Sequence, residues 1–179
     1  MKLFQKIGTP CIGVCSTGIG DSVCRGCKRF DYEVIQWNGF DESQKQAIDQ
    51  RLETILSSVV ERYLHIFDSQ RLASQLQLQQ LRYASHRDPY CWLFELLRAG
   101  ASQIDNPAQY GFLVRESGER SKSDASGIND ANDNAATQLQ RLREQIDKEF
   151  YLLSVAHFER YIVANRSRAR YASSATSYR

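Results

Sequence analysis

The chain has 179 residues, with 23 Lys plus Arg against 21 Asp plus Glu for a formal charge of +2, and 42% of its residues are hydrophobic. That balance permits a packed core, argues on net charge against a strongly basic nucleic-acid wrapper, and suits one principal domain to which a small metal-stabilised module can be added. No apolar run approaches the roughly 20 residues of a membrane helix, so no membrane partner is expected.

The start of the chain, Met1 to Cys11, carries two lysines but no continuous apolar stretch of the roughly 7–15 residues that a secretory signal needs. Export is disfavoured on that reading, and the expected compartment is the cytoplasm. In a reducing compartment, clustered thiols read as metal ligands or redox groups rather than disulfides. Four of the five cysteines, Cys11, Cys15, Cys24 and Cys27, fall within residues 1–30 in the pattern C-x3-C-x8-C-x2-C, two close pairs joined by a glycine-bearing loop. Four thiolates suit one tetrahedral ion, and Gly13, Gly18, Gly20 and Gly26 allow the chain to wrap it. Arg25, Lys28 and Arg29 beside the ligands would offset the negative charge of a tetrathiolate and lower the thiol pKa values. The same four thiolates serve zinc or an iron–sulfur cluster, and spacing alone leaves both open.

The motifs Thr9-Pro10-Cys11-Ile12-Gly13-Val14-Cys15, Cys24-Arg25-Gly26-Cys27-Lys28-Arg29 and Glu33-Val34-Ile35-Gln36-Trp37 resemble the bacterial family called domain of unknown function 1289, often labelled a predicted Fe–S protein. The resemblance covers roughly residues 9–60 and leaves about two-thirds of the chain outside it. All four cysteines match position by position, so the resemblance implies a metal-binding role for them and no activity. Phe30 departs from the small polar residue that such sequences usually carry there.

Beyond the cysteines, a short helical turn is expected from Asp31 through Trp37, closed by Asn38-Gly39 in the left-handed conformation. Asp41 with Gln44 has capping-box spacing. It opens a long amphipathic helix on which Ala47, Ile48, Leu52, Ile55, Leu56, Val59, Val60, Tyr63 and Leu64 form the apolar stripe. Trp37 and Phe40 are the expected seam with the cysteine segment. Asp68 predicts a second helix through about Tyr83. Asp88 as cap and Pro89 at the first helical position predict a third, apolar on nearly all sides, running to Gly100 and burying Cys91 as a small hydrophobe. Residues 110–114 read either as a short strand or as an extended packing segment.

Residues 117–136, rich in Ser, Gly, Asn and Asp, read as a flexible loop. Thr137 then opens a last helix with Leu139, Leu142, Ile146, Phe150, Leu153, His157 and Tyr161 on one face. Residues 166–179 form a basic tail expected to be disordered, in which Arg166, Arg168 and Arg170 join Arg25, Lys28 and Arg29 as candidate contacts to RNA or another partner. The expected architecture is therefore mainly α: a four-cysteine metal knuckle over residues 1–40, docked on a bundle-like core of four to five helices over 41–165.

No residue pattern nominates an acid, base or nucleophile. Glu61 and His65 are not in Glu-x-x-His spacing, and Ser16–Gly20 lacks the Gly-Lys-Ser/Thr ending of a phosphate loop. No small-molecule substrate is identifiable. The expectation is a non-enzymatic adaptor with a structural zinc ion that contacts a macromolecule, protein or RNA. The alternative is an Fe–S cluster protein with an electron-transfer or iron- or redox-sensing role.

Overall fold

The structure, a computed structural model, describes residues 7–115 and 134–163. The tail from residue 166, with Arg166, Arg168 and Arg170, and residues 117–133 of the expected loop lie outside the described residues. Among the described residues the architecture is mainly α-helical, with five α-helices and one two-stranded sheet. None of these helices is long and apolar enough to cross a membrane. The chain divides into two compact units, Met1–Ile55 with Glu149–Arg179, and Leu56–Lys148.

In the first unit, residues 7–30 are irregular apart from a 3-10 turn at Thr17–Ile19 and a single antiparallel bridge between Val23 and Phe30. Helix α1 is Asp31–Ile35, and the Glu33 carboxylate begins it by accepting the Phe30 N–H at 2.9 Å. A 3-10 turn, Trp37–Gly39, follows. Asn38 and Gly39 do not take the left-handed conformation expected of them, because the chain continues in the tighter helix instead of reversing. Asp41 and Gln44 do form a capping box: Gln44 N–H donates to Asp41 Oδ1 at 2.8 Å and Asp41 N–H to Gln44 Oε1 at 3.0 Å. They open α2, Glu42–Tyr63, whose Ile48, Leu52 and Ile55 are buried in this unit.

The last helix, α5, is Ala135–Phe158, continued by a π-helical turn at Glu159–Val163. Its buried face in this unit is Phe150, Ser154 and Phe158, not Phe150, Leu153 and Tyr161; Leu153 and Tyr161 are exposed. The reason is Phe158. Its ring meets Phe30 edge-on at 5.2 Å, and together with Val23 these side chains make a small core on which Tyr32, Tyr151, Val155 and Ile162 pack. The four-residue spacing from Phe150 through Ser154 to Phe158 sets the buried stripe.

The second unit begins on the last turns of α2, where Leu56, Val59 and Val60 are buried. Strand β1, Leu64–Ile66, pairs antiparallel with β2, Phe112–Val114, in the register Leu64↔Val114, His65↔Leu113 and Ile66↔Phe112. This settles residues 112–114 as a strand. Leu64 and Phe112 are fully buried, whereas His65 and Leu113 face solvent, as period-2 alternation requires. Gly111 closes the ladder with φ +83°, and its carbonyl accepts Phe67 and Asp68 N–H; a Cβ there would strike the Asp68 carbonyl.

Asp68 caps α3, Ser69–Leu78, accepting Arg71 N–H at 2.9 Å. This helix stops five residues short of Tyr83, because Gln80 turns left-handed at φ +56° and Leu81 N–H returns to the Leu76 carbonyl at 2.9 Å. Tyr83 instead packs on Trp92, whose indole donates to the Ala84 carbonyl at 2.9 Å. Asp88 and Pro89 start α4, Pro89–Gly100, which buries Cys91, Leu93, Phe94, Leu96 and Leu97. Asn134 caps α5 by accepting Thr137 N–H at 2.9 Å, so the helix takes the last two residues of the expected loop, and Ala136, Leu139 and Ile146 are buried in this unit.

Truncating Phe158 removes the largest C-terminal side chain from the core under the cysteine segment. Phe158→Ala should destabilise the first unit by about 3 kcal/mol, read as a lower denaturant midpoint; an unchanged midpoint would show that α5 does not support this segment.

Candidate metal centre

The four cysteines stand in two different environments. Cys24 is 1% exposed and Cys27 7%, whereas Cys11 and Cys15 are exposed. Among the described residues, no three Cys, His, Asp or Glu side chains are gathered as an ion's ligand set. The fold brings together the second pair, and it does so through the backbone.

Residues 24–29 form a tight turn. Lys28 N–H donates to the Cys24 carbonyl and Cys24 N–H to the Arg29 carbonyl, both at 2.8 Å, with Lys28 in the left-handed region at φ +59°. This turn aims backbone N–H groups at sulfur. Cys24 Sγ accepts from Cys27, Ser16 and Gly26. Cys27 Sγ accepts from the Arg29 backbone N–H and from its Nε–H at 3.3 Å. Burial pushes the Cys24 thiol up, but the three N–H donors and the Cys27 side chain outweigh it and lower the pKa from 9.0 to about 7. Cys27 is more deeply enclosed, and burial holds its thiol above the ordinary value even though Arg29 pulls it down. The turn therefore contains one sulfur close to ionisation at neutral pH and a second beside a guanidinium.

The first pair is tied to this turn by its own backbone. Arg25 N–H donates to Ser16 Oγ at 2.8 Å, and the Cys24 thiol donates to the Val14 carbonyl at 3.7 Å. Ser16 N–H and the Val14 carbonyl flank Cys15 in sequence and both meet Cys24, so the Cys15 backbone lies against the turn. Its side chain is directed to the Thr17 hydroxyl, 3.1 Å from Sγ. Gly26 makes this approach possible. A Cβ there would strike the Val14 carbonyl and crowd the Ile12 side chain.

Two of the three basic residues beside the cysteines are buried. Lys28 and Arg29 are each 2% exposed. Lys28 Nζ donates to the Gly26 carbonyl at 3.2 Å and lies 5.5 Å from the Phe150 ring centroid. Arg29 stacks on Trp37 at 4.8 Å, and its Nη1 has no acceptor. Both side chains are thus enclosed within this unit. Arg25 remains exposed, pairing with Asp21 at 2.8 Å. Next to the site, buried Glu33 and half-buried Arg51 form an ion pair at 2.6 Å, with the Arg51 guanidinium 3.7 Å from the Phe30 ring centroid. Burial raises the Glu33 carboxyl above its usual value against the pull of Arg51. Glu33, Arg51 and Phe158 were missed as supports of the site; only the Glu33-to-Trp37 motif marked part of this region in the sequence.

A family model described as "Protein of unknown function (DUF1289)" matches residues 9–55. Residues 9–55 belong to this family. The matched segment holds all four cysteines, Arg29, Glu33, Trp37 and Arg51, but ends before α5, which supplies Phe158. No curated protein and no solved structure matches the chain.

Accessibility predicts an order of thiol reactivity in the folded protein. Cys11 and Cys15 should react with iodoacetamide well before Cys24, Cys27 and Cys91, as read by peptide mass spectrometry. Rapid labelling of Cys24 would contradict the buried turn, because only enclosure holds back a thiol whose pKa is lowered to about 7.

Proposed function

We propose that Cys11, Cys15, Cys24 and Cys27 hold one structural zinc ion, and that the protein works as a non-enzymatic adaptor whose ordered cysteine segment meets a macromolecular partner. The observation that carries this reading is the turn at residues 24–29. Both of its sulfurs accept backbone N–H groups, and a buried guanidinium beside them keeps an unmatched donor. Buried cations and converging N–H dipoles are costly next to neutral thiols and favourable next to thiolates, the form that binds metal. The donor set thus fits a sulfur-ligated ion at Cys24 and Cys27. Cys15 is flanked by contacts to the same turn, and Cys11 lies four residues before it.

When bound, zinc would supply closed tetrahedral coordination and no reaction of its own. The chain's own residues do the rest. Gly26 admits the Val14 carbonyl, Ser16 joins the two pairs, and Val23 and Phe30 anchor the segment on Phe158. Its exposed side chains include Ile12, Val14 and Ile19 together with Arg25, a mostly apolar set that favours a protein partner over RNA. An RNA role would rest on Arg166, Arg168 and Arg170. A second reading keeps the same four ligands around an Fe–S cluster with an electron-transfer or redox-sensing role, since hydrogen bonds to cysteine sulfur are also a feature of cluster sites.

Anaerobic purification followed by metal analysis and a visible spectrum tests the assignment. The zinc reading expects a colourless protein with one zinc per chain. It also expects Cys24→Ser to lose the metal and expose residues 9–30 to protease while the helical spectrum persists. A brown protein with iron and sulfide would replace zinc by the cluster, and a metal-free protein with residues 9–30 equally protected would remove both readings.

A further inference from the structure

We propose that Arg29 is the positioning residue of this metal centre and that Trp37 acts on the centre by holding Arg29. The inference rests on the metal reading above and goes further, naming what sets the centre's affinity outside its four ligands. Arg29 reaches the Cys27 sulfur twice, through its backbone N–H and through Nε–H at 3.3 Å. The guanidinium is buried, and Glu33, a carboxylate within its electrostatic reach, is engaged by Arg51 at 2.6 Å. Nη1 has no acceptor.

A buried guanidinium with an unfilled donor is matched by negative charge, and the charge a four-thiolate divalent centre adds at Cys27 is of the right sign and in the right place. The fixed element is the Trp37 ring, 4.8 Å from the guanidinium carbon and itself buried, so the charge is held beside Cys27 before any ion arrives. Pre-organisation of this kind raises affinity because the ion need not order the counter-charge. Trp37 is then linked to the metal only through Arg29.

The test is zinc affinity of the full chain, measured by competition with a chromophoric chelator at fixed pH and ionic strength. Arg29→Gln should weaken binding by about 10–100-fold, and Arg29→Lys, which keeps the charge but not the planar fork, should recover part of the loss. Trp37→Leu should weaken binding in the same direction, with Trp37→Phe close to wild type because a ring is retained. The deciding variant is the double one. If Trp37 acts through Arg29, Arg29→Gln with Trp37→Leu should bind no more weakly than Arg29→Gln alone. Additive losses would assign both residues a merely structural role and overturn the proposal, as would wild-type affinity in Arg29→Gln. Arg29→Lys and Trp37→Phe keep the comparison available should a more drastic variant fail to fold. A wild-type chain that binds no zinc would instead remove the zinc reading on which the proposal stands.

Discussion

A guanidinium buried against a cysteine sulfur is the interaction on which the rest of the first unit depends. Arg29 is almost wholly removed from water, donates to Cys27 and stacks on Trp37. Taking such a charge out of water costs several kcal/mol unless it is paired and hydrogen-bonded. The surroundings are arranged to meet that cost: Trp37 lies beneath the charge, the left-handed Lys28 turns the chain inward, and N–H groups gather on the two sulfurs. Neutral thiols would leave this arrangement under-compensated, whereas thiolates on a metal would complete it.

The second constraint is mechanical. A segment of about 25 residues with little regular structure cannot bury enough apolar surface to order itself. Here it borrows from α5. Phe30, where the family resemblance leads one to expect a small polar residue, meets Phe158, which lies far beyond the residues shared with that family. The departure and the long helical extension are thus two sides of one contact. Arg51 over the Phe30 ring and Glu33 beneath Arg51 connect the same aromatic residue to α1 and α2.

Features written in local chemistry were legible in the sequence. The Asp41–Gln44 box, the Asp68 and Asp88 caps and Pro89 at the start of α4 depend on residues a few positions apart, and each formed as read; the α2 stripe held from Ile48 to Val60, while Ala47 is exposed and Leu64 begins β1. Misreadings arose where a distant partner or an unmarked backbone state decided the outcome. Nothing local to Gln80 announces a left-handed residue, so α3 was read too long. Leu153 and Tyr161 carried the apolar stripe of α5 on periodicity, until the contact with Phe30 selected Phe158. At the site, the cysteine spacing pointed to ligands, and the charges beside them were read both as offsetting the thiolates and as contacts to a partner. Lys28 and Arg29 look like solvated residues in any linear reading, and only the folded turn shows that both are buried and that Arg29 meets the Cys27 sulfur.

The central claim is that Arg29 and the converging N–H groups serve a centre of four sulfur ligands. X-ray absorption at the metal edge of the purified full-length protein reads that ligand set directly. The account predicts a zinc edge with four sulfur neighbours at about 2.3 Å in the wild type, reduced to a mixed sulfur and light-atom shell in Cys11→Ser. A wild-type spectrum with two sulfurs and the remaining ligands oxygen or nitrogen would contradict it, because Cys11 and Cys15 would then stand outside the centre.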